Sequence, residues 1–208
     1  RKVKGAGKWV TGVNRELSQS GIGDLYVAGD NPGLGRVTAE FFKEKMPDGG
    51  KIVVLRGMPI PIDAQRVDAF KAELDGSNIE IIDEQFANWN RDDGYKVMQD
   101  FLTKYDNIDA VWAQDDDTLI GVLKALREAG RQDEIWSVGG AGMNQIIKMV
   151  GSGSTQVPAD VSYNPGMIAV AIEVTTLRYV AGLQINGRYI IDSTLITADN
   201  ASEFDYEG

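Results

Sequence analysis

Three consecutive carboxylates, Asp115, Asp116 and Asp117, follow directly on the short apolar run Ala110-Val-Trp-Ala113 and the polar residue Gln114. Behind them Leu119, Val122, Leu123 and Leu126 fall at i, i+3, i+4 and i+7, the spacing of one helix face. A buried strand that ends in polar residues and turns into a helix is one βα unit. In open α/β sheets, small polar ligands sit outside that carboxyl end of the strands. Carboxylates in this place have three uses. They cap the helix, since Asp suits both the N-cap and the first helical turn. They accept hydrogen bonds from ligand hydroxyls. They hold Mg²⁺ for phosphoryl chemistry. Asp115, the first acid off the strand, is the one expected to face a ligand; Asp116 and Asp117 are expected to serve the helix.

The groups expected just past the other strand ends extend the set: Asn14 and Arg15, Asp30 and Asn31, Arg66, Trp89 and Asn90, Gly139, Gly140 and Gly142, and residues 160–164, which include Asp160 and Tyr163. Planar hydrogen-bonding groups stand beside a flat aromatic face. A sugar or polyol asks for that combination, because its hydroxyls both donate and accept while the C–H face of its ring stacks on an aromatic. Each residue also has a plainer reading. Trp112 and Trp136 lie inside strands and are expected in the core, whereas Trp89 lies in a loop and fits binding. Arg66, on the first turn of a helix, either points back to the sheet end or is solvated. Asp30 suits a turn as well as a ligand. Gly139-Gly-Ala-Gly142 departs from the G-x-G-x-x-G spacing and is weak as a dinucleotide fingerprint.

The elements that must carry these groups alternate in type. Strands are expected over 9–13, 25–28, 51–55, 79–82, 110–113, 135–138, 155–161 and 188–196, with the stretch 155–161 interrupted by Pro158 and so at an edge. Helices fall between them: one opened by Asn31-Pro32 and carrying Val37, Phe41 and Phe42; one with Val67, Phe70 and Leu74; one with Val97, Met98, Phe101, Leu102 and Tyr105; the helix after Asp115; a short one over 144–150; and a long one over 164–183. Residues 18–23 read as a polar loop, and the tail 199–208 is polar. The alternation predicts an α/β fold with mainly parallel sheets. Lys51 to Leu55 is almost continuously apolar, as a strand covered on both faces should be.

Of the 208 residues, 43% are apolar and 25% charged, with a formal net charge of −10. The acidic balance argues against a nucleic-acid partner, which needs clustered Lys and Arg. Histidine and cysteine are both absent, so a thiolate or imidazole nucleophile is excluded and carboxylates alone are left for metal work. No apolar run reaches the ~18 residues of a membrane span. Arg1-Lys-Val-Lys-Gly5 is basic, but no apolar segment follows it as in a signal peptide.

A resemblance rests on Val27-Ala-Gly-Asp-Asn31, Gly50-Lys-Ile-Val-Val-Leu-Arg-Gly57, Ala64-Gln-Arg66 with Phe70, Asn88-Trp-Asn-Arg91, Tyr95-Lys-Val-Met-Gln-Asp-Phe-Leu102 and Ala110-Val-Trp-Ala-Gln-Asp-Asp-Asp117, in this order along almost the whole chain. The sequence resembles the ribose-binding-protein family of periplasmic sugar-binding proteins, whose fold the effector domains of LacI/GalR repressors share. The resemblance implies two Rossmann-like lobes, with 1–29 and 164–191 in the amino-terminal lobe and 30–163 and 192–208 in the carboxy-terminal lobe. Hinge crossings would lie near Asp30, Asn164 and Asp192. It also implies that Arg66 is the ligand arginine, Trp89 the stacking aromatic, Asp115 the hydroxyl acceptor and Tyr163 the polar group at a hinge crossing. Asn14-Arg15 stands where the family usually has Asp-Arg, which weakens one charged hydrogen bond. The family has further βα units before the first strand seen here, so the first lobe is expected to be incomplete. Gly140 and Ala141 occupy places where the family often has an aromatic and an Asp, leaving Asp160 as the candidate replacement. That departure disfavours ribose and favours another pentose, a hexose, a deoxy sugar or a polyol.

The expectation is therefore a periplasmic receptor that binds a monosaccharide or polyol in an interlobe cleft and delivers it to an ABC permease, as a monomer without cofactor, metal or catalysis. Two alternatives stand beside it. The effector domain of a LacI-type repressor would carry a helix-turn-helix headpiece upstream of Arg1. A Mg²⁺-dependent phosphoryl-transfer enzyme would gather Asp115, Asp116 and Asp117 on one ion.

Overall fold

The computed structural model describes residues 2–16 and 21–204. Positions 18–20 of the expected polar loop and 205–208 of the polar tail lie outside the described residues. The chain divides into two compact units, Arg1–Asp30 with Asn164–Asp192, and Asn31–Tyr163 with Ser193–Gly208.

The smaller unit holds α1 (Lys2–Gly5), β1 (Thr11–Val13), β2 (Leu25–Gly29), α7 (Met167–Ala181) and β8 (Gly187–Ile191). Its strands form a parallel sheet in the order β1-β2-β8. The Thr11 and Thr175 hydroxyls, 2.9 Å apart, tie β1 to α7, and the Arg178 guanidinium lies 4.0 Å from the centre of the Trp9 ring. Met167 and Ala171 are the buried residues of α7, while Ile168, Ile172, Tyr179 and Val180 are exposed. Gly182, in the left-handed conformation at φ 66°, ends this helix. α7 begins at Met167 rather than Asn164, because the Asn164 side chain accepts from the Gly166 N–H at 2.7 Å and makes a turn with Pro165.

The larger unit runs α2 (Asn31–Lys45), β3 (Gly50–Arg56), α3 (Pro61–Leu74), β4 (Ile79–Phe86), α4 (Arg91–Lys104), β5 (Ala110–Ala113), α5 (Asp116–Glu128), β6 (Trp136–Val138), α6 (Asn144–Gly151), β7 (Asp160–Val161), β9 (Leu195–Ile196) and a closing 3-10 turn, Ala201–Phe204. Its main sheet is parallel in the order β4-β3-β5-β6. Alternate residues of the two central strands feed two cores. Ile52, Val54, Ala110 and Trp112 pack with Leu34 and Phe42 of α2 and Val67 and Phe70 of α3. Val53, Leu55, Val111 and Ala113 pack with Met98 and Phe101 of α4 and Leu119, Val122 and Leu126 of α5. This two-sided burial is why the strands are apolar throughout rather than alternating. Trp112 is fully buried and stacks on Phe70 at 4.1 Å between centroids, while Trp136 is partly buried against Phe42 at 4.6 Å. Both tryptophans thus take the core role expected of them. A methyl group on Gly35 would run into the backbone of Arg66, and one on Gly121 into that of Arg91, so both helix pairs touch backbone to backbone.

Besides β1, which starts at Thr11 rather than at residue 9, three strands differ from the sequence reading. β4 continues to Phe86 because its partner β3 runs to Arg56 and supplies ladder bonds that far, with a register irregularity at Ile52/Val53. The stretch 155–161 is a strand only at Asp160–Val161, which pairs antiparallel with β9. The single strand expected over 188–196 is split: β8 belongs to the smaller unit and β9 to the larger, and residues 192–194 between them are in neither sheet.

Candidate functional site

Arg66 is the centre of a polar cluster in the larger unit. Pro61 opens α3 at a position where its missing N–H costs nothing, and Arg66 follows on the second turn, 5% exposed. Its Nε donates to Asn31 Oδ1 at 2.9 Å and its Nη1 to the Gln114 carbonyl at 3.0 Å. The guanidinium lies 4.6 Å from the centre of the Tyr163 ring and 5.6 Å from that of the Trp89 ring, within the range of a cation–π attraction. Asn31 in turn donates to the Tyr163 hydroxyl at 3.3 Å. Burial draws the Arg66 pKa down, and the nearby Tyr163 and Asp115 act in the opposite direction; an arginine keeps its proton under such pressure.

Trp89 owes its place to its backbone and to a glycine. It has φ 52° and follows Asn88 at φ 55°; asparagine tolerates the left-handed region, but a bulky tryptophan seldom adopts it. Such outliers persist where surrounding structure over-determines them, and they cluster at functional sites. The indole lies against Gly57 so closely that a Cβ there would collide with Cε2, Nε1 and Cζ2 of the ring. The Gly57 N–H is held by Asp63 Oδ1 at 2.9 Å and by Gln114 Oε1 at 3.3 Å, and Asp63 also takes the Arg56 guanidinium at 2.5 Å. Asn90 then caps α4, accepting from the Asp92 and Asp93 N–H groups at 2.9 and 3.2 Å.

The three successive acids separate into three roles. Asp115 is the N-cap of α5 and accepts from the Thr118 N–H at 2.9 Å. Its carboxyl is only partly buried; burial raises its pKa, the Thr118 hydrogen bonds oppose the rise, and the Arg66 charge opposes it further. Asp116, expected to serve the helix, is fully buried and accepts from the Gly140 N–H at 3.0 Å and the Met143 N–H at 2.7 Å. Asp117 is on the surface, paired with Arg91 at 2.5 Å. Each of the three acids has its own protein partner, and among the described residues no group of three carboxylates is placed to hold one metal ion.

Of the residues expected to bind ligand, Arg66, Trp89, Tyr163 and Asp115 come together around one guanidinium. Asp160 does not join them: it is fully buried, and its Oδ2 accepts from the Gly142 N–H at 3.1 Å inside the loop after β6. In the smaller unit Asn14 stands just past β1 with φ 64°; its N–H donates to the Val27 carbonyl and its own carbonyl accepts from the Tyr26 hydroxyl, both at 2.9 Å, and Arg15 beside it is exposed. Two groups were missed. Gln114 is fully buried and fixes both Arg66 and Gly57; a polar residue set directly on the end of an apolar strand was the available signal. Asp63 carried no such signal, because an acid in the first turn of a helix looks like a dipole partner.

A parallel sheet with helices on both faces and a polar cluster at its carboxyl ends is the arrangement in which open α/β folds place a ligand site. The chain belongs to the periplasmic binding protein domain family, whose model matches residues 1–183, in agreement with the resemblance drawn from the sequence. It is 29% identical over 182 residues to the ribose import binding protein of Salmonella typhimurium, covering 86% of this chain and 60% of that protein. To the D-allose-binding periplasmic protein of Escherichia coli it is 28% identical over 184 residues, covering 87% and 55%. The chain thus spans somewhat over half the length of these curated relatives. Among solved structures, that of Caulobacter myo-inositol binding protein bound to myo-inositol matches with a TM-score of 0.87 and 26% identity, covering 97% of this chain and 70% of that one. A galactofuranose binding protein shares the fold at a TM-score of 0.89, with 24% identity over 98% of this chain and 71% of the other.

Proposed function

We propose that this chain is a solute-binding receptor for a monosaccharide or polyol that serves an ABC importer in the periplasm, and that it carries out no reaction itself. The observation that carries the reading is the buried guanidinium of Arg66, held by Asn31 and Gln114, flanked by the rings of Trp89 and Tyr163 and acted on by the Asp115 carboxylate. A fixed cation, a partly exposed carboxylate and an indole face match a ring that offers hydroxyls on its edge and C–H groups on its face. In this reading Arg66 and Asp115 hydrogen-bond hydroxyls, Trp89 stacks on the ring, and Tyr163 supplies a further polar contact. The ligand roles of Asn14 and Arg15 rest on the sequence resemblance alone. Family membership and the relatives named for ribose and D-allose support the substrate class, as does the structural relative bound to myo-inositol. The burial of Asp160 and its bond to the Gly142 N–H support a reading in which it makes no ligand contact and the ligand has one hydroxyl fewer to satisfy there. The receptor is expected to act as a monomer.

The test is a thermal-shift panel of D-ribose, D-allose, myo-inositol and related sugars, followed by calorimetry on the best of them. A receptor gains stability with ligand concentration, and Trp89→Ala and Asp115→Ala each weaken binding at least tenfold, about 1.4 kcal/mol. A chain that no member of the panel stabilises, or whose affinity both substitutions leave intact, is not this receptor.

A further inference from the structure

The loop that follows β6 is held from below by two carboxyl groups that no ligand role explains. Asp116 and Asp160 are both fully buried. Asp116 uses Oδ1 for the Gly140 N–H and Oδ2 for the Met143 N–H, while Asp160 uses Oδ2 for the Gly142 N–H. Asp160 Oδ1 is buried and meets no donor from the protein. The two carboxyls converge on one point: a Cβ on Gly139 would lie 3.1 Å from Asp160 Oδ1 and closer still to Asp116 Oδ1. Glycine is therefore required at 139 by the acids beneath it.

We propose that Asp116 and Asp160 act as one positioning pair that shares a single proton, carried on Asp160 Oδ1 and donated to Asp116, and that this pair fastens the 139–143 loop at the carboxyl end of β6. Two bare carboxylates buried side by side would repel in a site of low dielectric. One proton between them turns the repulsion into a charge-assisted hydrogen bond and gives the idle oxygen a partner. Three of the loop's N–H groups, those of Gly140, Gly142 and Met143, end on this pair.

The electrostatics run the same way. Burial pushes the Asp116 carboxyl up to about 6, against the pull of the Met143 and Gly140 N–H groups and the bond to Asp160. Burial, followed by the charge of Asp116, holds Asp160 well above the ordinary range, against the Val161 and Gly142 N–H groups. From α5, Asp115 adds charge of the same sign to Asp116, and the Leu119 side chain reaches the same glycine; Asp117 is turned to Arg91. Both folded-state values exceed the ordinary Asp value of about 3.9, so the contribution of the pair is complete at acid pH. Part of the proton-linked stability goes as the first proton leaves near pH 6, which yields the singly protonated pair; the remainder, and with it the fastening of the loop, goes as the last proton leaves Asp160 at higher pH.

The proposal does not depend on the sugar reading, and its test uses no ligand. The side-chain carboxyl carbons of the ¹³C-labelled 208-residue chain are titrated by NMR while amide-exchange protection is followed at Gly140, Gly142 and Met143. Asp160 is expected to remain protonated beyond the range of ordinary aspartates, and protection at the three amides to fall at least tenfold as that proton leaves. Asp160→Asn supplies a permanent donor to Asp116 and keeps an acceptor for Gly142, so its protection stays level across the same interval. An Asp160 carboxyl that titrates like an exposed aspartate overturns the proposal, and so does loop protection in Asp160→Asn that declines in step with the unsubstituted chain. Should Asp160→Asn not fold, the titration of the unsubstituted chain decides alone.

Discussion

Replacing Arg66 by methionine separates the structural weight of the cluster from any ligand. Methionine keeps an unbranched apolar stem that fills much of the same channel, so the cavity left behind is small. What vanishes is the pair of N–H donors at 2.9 Å to Asn31 Oδ1 and 3.0 Å to the Gln114 carbonyl. Both acceptors belong to buried residues, and an acceptor left unmet in a buried place costs about 1–3 kcal/mol. Two of them give about 2–6 kcal/mol, and relief from burying the guanidinium offsets part of that. The expected loss is about 2–4 kcal/mol, read from urea denaturation followed by a signal from the larger unit, with the slope against urea unchanged. A double-mutant cycle with Asn31→Ala should return a coupling of at least ~0.5 kcal/mol, since the two side chains share one hydrogen bond. A loss under about 1 kcal/mol would mean that the two acceptors find new partners at little cost, and Arg66 could not then be the fixed cation on which the site is built.

Gly57→Ala should drive the indole of Trp89 from its seat, because the new methyl would lie under 3.0 Å from three ring atoms; calorimetry with the sugar that binds best should record at least a tenfold weaker affinity. Phe70→Ala empties a fully buried place between Phe42 at 5.6 Å and Trp112 at 4.1 Å and should cost about 3–5 kcal/mol in chemical denaturation. Asp117→Asn removes only a surface pair with Arg91 and should change stability by less than about 1 kcal/mol, which sets it apart from its two neighbours in sequence.

The parts of the fold that could be read in advance are those where one residue spacing answers to one surface. Leu119, Val122, Leu123 and Leu126 describe a helix because one face of it is buried, and Ala110 to Ala113 are apolar because both faces of their strand are covered. Strand lengths were less legible. β4 continues through Asp83, Glu84 and Gln85 on the strength of ladder bonds from β3, and polar side chains do not advertise a partner's backbone. The break between β8 and β9 was hidden for the same reason: the apolar residues on either side of Asp192 look alike, although they join different sheets. In the site, Arg66, Trp89 and Asp115 stood out because their types match the chemistry. The burial of Asp116 and Asp160 was not legible because an aspartate near a helix start or a strand end has the same sequence signature whether it caps, binds or is buried against backbone N–H groups.

The threading of the larger unit bears on how the polypeptide can be dissected. β7 pairs with β9, the Ser162 N–H donates to the Thr194 carbonyl, and the Thr194 N–H donates to the Ser162 hydroxyl, both at 2.9 Å. Ile196 and Ala201 from that last stretch are buried in the core. A gene cut after the codon for Tyr163 would therefore encode a product stripped of a strand and a piece of its interior. Because 162 and 194 already lie side by side, a splice of a few flexible residues between 163 and 193 would give a single uninterrupted reading frame for the whole unit. Its ability to fold without the segment that was looped out would measure how far the two units depend on each other.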